Sequence, residues 1–136
     1  MKEIEVEAVR TILPDVLELV DESLEEVLCP ALTQTAIEIA VEEIFVNISN
    51  YAYDAETGTV VVQVAIHDDP LAIEISFTDS GVPYDPLAKP DPDTTLSVKQ
   101  RKIGGLGIYM VKKSMDDVRY EYKDGKNILT IRKILD

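Results

Sequence analysis

A chain of 136 residues, 46% of them apolar, is long enough for one domain that buries roughly two-thirds of the surface its unfolded form exposes. Its net charge of −13 and pI near 4.4 exclude nonspecific attraction to nucleic acid or to an anionic membrane, both of which need a positive field. One cysteine, Cys29, excludes an intrachain disulfide. The N-terminal MKEIEVEAVR is not leader-like, and no run approaches the roughly 18 apolar residues of a membrane span, so a cytoplasmic protein is expected.

Residues 3–9 alternate Glu3, Glu5 and Glu7 with Ile4, Val6 and Ala8, the period of a half-buried strand, expected at a sheet edge. Pro14 and Asp15 open a helix with Val16, Leu17, Val20, Leu24, Val27 and Leu28 on one face and Glu18, Asp21, Glu22, Glu25 and Glu26 on the other. Cys29 reads as a small packing residue beside Pro30, which separates this helix from the next.

The helix expected over 33–53 organises the rest. Ile37, Ala40, Val41, Ile44, Phe45 and Ile48 share one face, while Ile39 and Val46 are apolar opposite, so it reads as an inner helix packed on two sides. Glu43 and Asn47 lie one turn apart on the flank between those faces, where a carboxylate and an amide would line a cleft.

Thr57-Gly58 marks a turn, residues 59–67 are β-branched and strand-like, and His67-Asp68-Asp69-Pro70 forms a hairpin loop leading into a strand over 71–79. In that second strand Ile73, Ile75 and Phe77 alternate with Glu74, Ser76 and Thr78, which places Asp79 on the apolar face. Two readings of Asp79 stand: an inward acceptor for an exocyclic amine, or an Asx residue opening the Ser80-Gly81 turn. Gly81 permits a tight turn and close approach of a ligand to the backbone.

Residues 85–103 lack apolar periodicity, carry Pro86, Pro90 and Pro92, and change from acidic to basic at Lys99, Arg101 and Lys102; a lid that brings cations toward phosphates is expected. Gly104-Gly105-Leu106-Gly107 then opens a helix with Ile108, Val111 and Met115 on one side, and unpaired N–H groups at such a start suit an anion. A hairpin over 118–133 turns at Asp124-Gly125, with Asn127 sharing the face of Leu129 and Ile131 as a further inward polar group and a candidate ligand contact. The order of elements predicts an α+β sandwich of two layers, the helices covering a mixed, mostly antiparallel sheet, in a single domain over 1–136.

Glu43-x-x-x-Asn47, Asp79-x-Gly81, the lid and the Gly104-to-Gly107 turn, in this order, resemble the GHKL (Bergerat-fold) ATPase and kinase superfamily. Within it they are similar to the small anti-sigma factor serine/threonine-protein kinases. The resemblance implies ATP and Mg²⁺ as cofactors, Glu43 as general base, Asn47 as the Mg²⁺ ligand, and Asp79 as acceptor from the adenine amino group. It also implies Gly81 beside the base, and Gly104, Gly105, Leu106 and Gly107 around the phosphates. Pro83 replaces the second glycine of the superfamily's D-x-G-x-G, a form familiar in the anti-sigma branch. Where many relatives carry His, this chain has Tyr51 preceded by Asn50; either contacts nucleotide, or Tyr51 packs.

The implied partners are a STAS-type anti-sigma antagonist, a sigma factor and a second copy of the chain in a homodimer. The competing expectation is a regulatory module that binds nucleotide with little or no transfer. A detached histidine-kinase catalytic domain is the weaker reading, because the single histidine, His67, reads as a hairpin residue.

Overall fold

Alternating and β-branched segments form one antiparallel sheet, and the amphipathic segments cover one of its faces. The computed structural model describes residues 1–53, 58–88 and 105–135. In chain order these give β1 (Lys2–Glu7), α1 (Leu13–Glu25), α2 (Ala31–Tyr51), β2 (Thr59–His67), β3 (Ala72–Asp79), α3 (Gly105–Ser114), β4 (Asp117–Lys123) and β5 (Lys126–Ile134), with 3-10 turns at Arg10–Ile12 and Pro86–Ala88. The strands lie in the order β1-β2-β3-β5-β4, so the expected two-layer α+β architecture is present and β1 is an edge; every neighbouring pair among the described residues is antiparallel, where a mixed, mostly antiparallel sheet is expected from the sequence. Among the described residues no helix is long and apolar enough to cross a membrane.

Strand register carries the core through the sheet. Val64, Ile75 and Ile131 are partners across β2, β3 and β5, as are Val62, Phe77 and Leu129 two positions on. The next inward rung is Val60, Asp79 and Asn127. Because side chains alternate with a period of two, that rung must face the helices, and all three of its residues are buried. Val16, Val20 and Leu24 of α1, and Ile37, Val41, Ile44 and Phe45 of α2, close over this face. On the opposite face Ser76 Oγ donates to Gln63 Oε1, and Gln63 Nε2 to Glu3, a polar row suited to water. The β4–β5 hairpin turns through Asp124 and Gly125 at φ 53° and 76°, the left-handed pair of a type I′ turn.

Two helical expectations change. The sequence places Leu28 on the apolar face of the first helix, but α1 ends at Glu25, which breaks the register, and Leu28 is 92% exposed. Ile39 is 51% exposed, so the side of α2 away from the sheet meets solvent there, while its flanks pack on α1 and α3. Cys29 packs against the core edge, and burial pushes its thiol pKa up.

Where α1 meets α2, Gln34 Nε2 donates to Asp21 Oδ1 at 3.3 Å, and Glu38 hydrogen-bonds the same Asp21. Burial first, then the Asp21 charge and that hydrogen bond, raise the Glu38 carboxyl above its ordinary value of 4.5. A raised folded pKa means the proton is held more tightly in the folded state. The associated stability is present below the unfolded value and is lost as pH rises through the folded one. Glu38→Gln is therefore expected to add roughly 0.5 kcal/mol at pH near 7.5 and little below about pH 4.5. Thermal unfolding at the two pH values measures this; an equal gain at both would remove the carboxyl pair as its cause.

Candidate functional site

The site begins where α2 ends. Val82 N–H donates to the Ala52 carbonyl at 2.9 Å, and Ser80 N–H donates to Tyr53 Oη at 3.0 Å, whose own hydroxyl donates to Thr59 O at 2.6 Å. The strand end bearing Asp79 is thereby tied to the helix end beyond Asn47. Gly81 sits at this junction, and a Cβ there would overlap the backbone carbonyl of Ala52. The described atoms that require this glycine are those of Ala52, just past the end of α2.

Between these elements lies an open-mouthed cavity of about 380 Å³, its mouth included. Ile44 and Ile48 of α2 form one wall, Phe77 and Leu129 the sheet side, and Tyr84, Pro86 and Tyr120 the remaining rim, with Asn47, Asp79 and Asn127 as the polar groups. Apolar walls with few polar groups suit a flat, partly polar ring.

The Asx turn expected of Asp79 is present, and it occupies one of the two carboxylate oxygens. Oδ1 accepts from Gly81 N–H at 2.9 Å, the Asx turn, and from Asn127 Nδ2 at 3.0 Å, whereas Oδ2 accepts no hydrogen bond from any described residue. The carboxylate is 5% exposed and lines the cavity, so that remaining oxygen is a built acceptor. Asn127 is committed to the protein: Nδ2 also donates to Val82 O at 2.9 Å, while Oδ1 accepts from Tyr84 N–H at 3.1 Å and from the Tyr120 hydroxyl. Burial, partly offset by a hydrogen bond with the Tyr84 backbone and reinforced by Asp85 and Asp79, pushes the Tyr120 phenol up, which keeps it a donor.

Farther along α2, Asn47 lines the cavity, and its side chain hydrogen-bonds no described residue. Glu43 lies about 6 Å nearer the helix start. It reaches the first turn of α3, where a Cβ on Gly107 would overlap Glu43 Oε2 and lie 3.0 Å from Cδ. The carboxylate and the glycine-rich helix start, 60-odd residues apart in sequence, are thus neighbours. Gly105 is the first residue of α3 and Leu106 the second.

The remaining candidates fall elsewhere. Tyr51 packs its ring on Tyr84, centroids 5.8 Å apart, at the rim. Asn50 Oδ1 accepts from Arg10 Nη2 at 3.4 Å, away from the cavity lining. Of the expected lid only 85–88 are described, its 3-10 turn capped by Asp85 Oδ1 accepting from Leu87 N–H at 2.8 Å; Lys99, Arg101, Lys102 and Gly104 lie outside the described residues.

Asp79 on β3, Glu43 and Asn47 on one helix flank, and glycines opening the helix beside that flank form a single surface. The sequence profile of the histidine kinase-like ATPase domain matches residues 5–133. The chain belongs to the histidine kinase-like ATPase family. A serine-protein kinase RsbW of Listeria monocytogenes serovar 1/2a is 28% identical over 103 residues, covering 72% of this chain and 64% of its own. Another, from Bacillus cereus (strain AH187), is 29% identical over 102 residues, covering 72% and 62%. The match therefore spans less than two thirds of either relative.

Two solved structures are similar in fold. The RsbU and RsbW domains of Rv1364c from Mycobacterium tuberculosis align over 99% of this chain and 33% of that one, with a TM-score of 0.65 and 16% identity. The histidine kinase domain of the Erythrobacter litoralis EL346 blue-light activated histidine kinase aligns over 78% and 46%, with a TM-score of 0.53 and 14% identity.

In this histidine kinase-like ATPase chain the lining residues that the sequence did not single out include Tyr84 and Tyr120. Tyr120 carried a signal, since it alternates with Val118 on the inward side of β4; Tyr84, in an irregular segment between two prolines, carried none. The donor set also bears on a cation. Among the described residues no three acidic, His or Cys side chains gather as a metal site. A hard cation beside Asn47 would then take much of its coordination from phosphate oxygens and water, which fits Mg²⁺ with a nucleotide and not an all-protein cage.

Proposed function

We propose that this chain binds ATP with Mg²⁺ in the α2–β3 cavity and transfers the γ-phosphoryl group to a Ser or Thr of a STAS-type anti-sigma antagonist, controlling a sigma factor by partner exchange. The observation that carries the proposal is the buried Asp79 carboxylate, one oxygen spent on its own turn and the other left facing an apolar cavity, in a member of the histidine kinase-like ATPase family. The adenine amino group would donate to Oδ2, with Ile44, Ile48, Phe77 and Leu129 against the ring. The phosphates would extend toward Asn47 and the start of α3, where free backbone N–H groups favour anions.

Glu43, beside that start, would take the proton of the acceptor hydroxyl as its oxygen bonds to the γ-phosphorus and the bond to the bridging β–γ oxygen breaks, releasing ADP. Asn47 would hold Mg²⁺ together with phosphate oxygens, and the ion would neutralise charge on the transferred group. The relatives named serine-protein kinase RsbW support a kinase role, and residues 11–88, which carry no Lys or Arg, suit a basic partner surface such as a sigma factor. That role places the protein in the cytoplasm. The free edge of β1 is the candidate contact for a homodimer, and sedimentation velocity reads its occurrence.

Titration calorimetry with ATP, with and without Mg²⁺, tests the site. In Asp79→Asn the amide oxygen keeps the bonds from Gly81 and Asn127, so Nδ2 must face the cavity and meets the adenine amine donor to donor. Affinity for ATP should fall about 30- to 100-fold, and a 6-oxo purine nucleotide should lose little. Equal binding of ATP by both proteins would overturn the adenine assignment. Mg²⁺-dependent binding with no transfer to any STAS acceptor would leave a nucleotide-holding regulatory module in place of a kinase.

A further inference from the structure

Asn127 is buried, 6% exposed, yet it touches more polar groups than the cavity needs from it. Its amide spans three separate pieces of chain: the strand end at Asp79, the irregular segment at Val82 and Tyr84, and the inward tyrosine of β4. Only one orientation of the amide works. Asp79 Oδ1 and the carbonyls of Val82 and Gly81 all accept, and they surround Nδ2, whereas the Tyr84 N–H is an obligate donor and faces Oδ1. A flipped amide would oppose acceptor to acceptor at Asp79.

Resting on the adenine assignment above, we infer that Asn127, oriented by the Tyr120 hydroxyl, is the positioning residue for base recognition. It saturates Asp79 Oδ1, so that Oδ2 alone is offered to the base, and it locks the 82–84 segment of the rim to the same carboxylate. On this inference Asn127 has no direct bond to the nucleotide, unlike the role expected for it from the sequence. The two neighbours on its amide oxygen, a backbone N–H and a phenol, both donate, and so hold the donor side of the amide on Asp79. A base that arrives finds the acceptor already aimed.

The decisive variant is Asn127→Asp, which keeps the shape and replaces the donor by a group that donates only when protonated. Near pH 5.5 the introduced carboxyl and Asp79 can share one proton, restoring the bond; as pH rises both ionise and repel. The other titratable groups around the pair are Tyr120 and Tyr122 on β4, Tyr84 and Asp85 in the rim segment, and Tyr51 and Tyr53 at and just past the end of α2, the first stacked on Tyr84 and the second accepting from Ser80 N–H; the cavity-lining residues of α2, Ile44, Asn47 and Ile48, carry none. ATP affinity of the variant, read by calorimetry, should weaken at least about tenfold between pH 5.5 and 8 relative to the unsubstituted protein at each pH.

Tyr120→Phe, which leaves the Tyr84 N–H on Asn127, should weaken ATP about threefold with the rest of the fold intact by circular dichroism, and it carries the test where the aspartate variant does not fold. Unsubstituted protein that binds ATP, with variants that bind it equally well and with an unchanged pH profile, would overturn the positioning role and leave the adenine site standing. Unsubstituted protein that binds no ATP would overturn both.

Discussion

Glu43→Gln is expected to lower phosphoryl transfer about 10²- to 10⁴-fold while changing the Kd for Mg²⁺-ATP by less than about threefold. The geometry argues for this split. Glu43 lies against Gly107 in the first turn of α3, so an isosteric amide keeps that contact and the helix–helix spacing, and removes only the capacity to take a proton. Neither the apolar walls nor Asp79 is touched by the change. Single-turnover transfer to a STAS-type acceptor, beside calorimetry of nucleotide binding, separates the two terms. Loss of affinity in step with loss of transfer would mean that Glu43 serves binding and would end its assignment as base. Gly107→Ala meets the same contact from the other side: the methyl must displace the Glu43 carboxylate, a flexible group, so transfer should suffer more than stability.

Gly81→Ala should be the more damaging glycine change, costing about 3 kcal/mol and lowering Tm by roughly 10 °C. Here the obstacle is backbone: a Cβ at Gly81 would overlap the Ala52 carbonyl and lie 2.8 Å from Ala52 Cα, and neither can swing aside as a side chain can. Relief requires parting α2's last turn from the end of β3, which breaks the Val82 N–H to Ala52 O bond and moves Asp79. Nucleotide affinity should fall with stability. Gly125 provides the comparison. Nothing lies near a Cβ there, so Gly125→Ala meets only the cost of φ +76°, about 1 kcal/mol, with the site unchanged. Thermal unfolding of the three proteins orders these effects; a Gly81→Ala loss no larger than that of Gly125→Ala would show that the α2–β3 junction yields.

Much of this was legible in the chain because it depends on local period. Alternation over 59–67 and 71–79 gave both central strands within a residue of their ends, and it put Asp79 and Asn127 on the inward face before any register was known. The 3.6-residue period placed Ile37, Val41, Ile44 and Phe45 in the core and Glu43 and Asn47 on one flank. Those patterns follow from covalent geometry, which repeats along an element irrespective of what surrounds it. The period failed where an element stopped early, at Leu28 beyond the end of α1, and where no second layer arrived, at Ile39.

The sequence by itself thus determined the elements, their buried faces and which polar residues point inward, together with the family. Only the tertiary structure decided how those inward groups divide their bonds. Asp79 gives one oxygen to its turn and keeps one for the cavity, and Asn127 is spent on Asp79, Val82, Tyr84 and Tyr120. Gly81 makes way for Ala52, and Glu43 meets Gly107. Each of these depends on atoms brought together from distant parts of the chain, and a hydrogen bond or a steric overlap is fixed by distances of tenths of an ångström that no periodicity encodes.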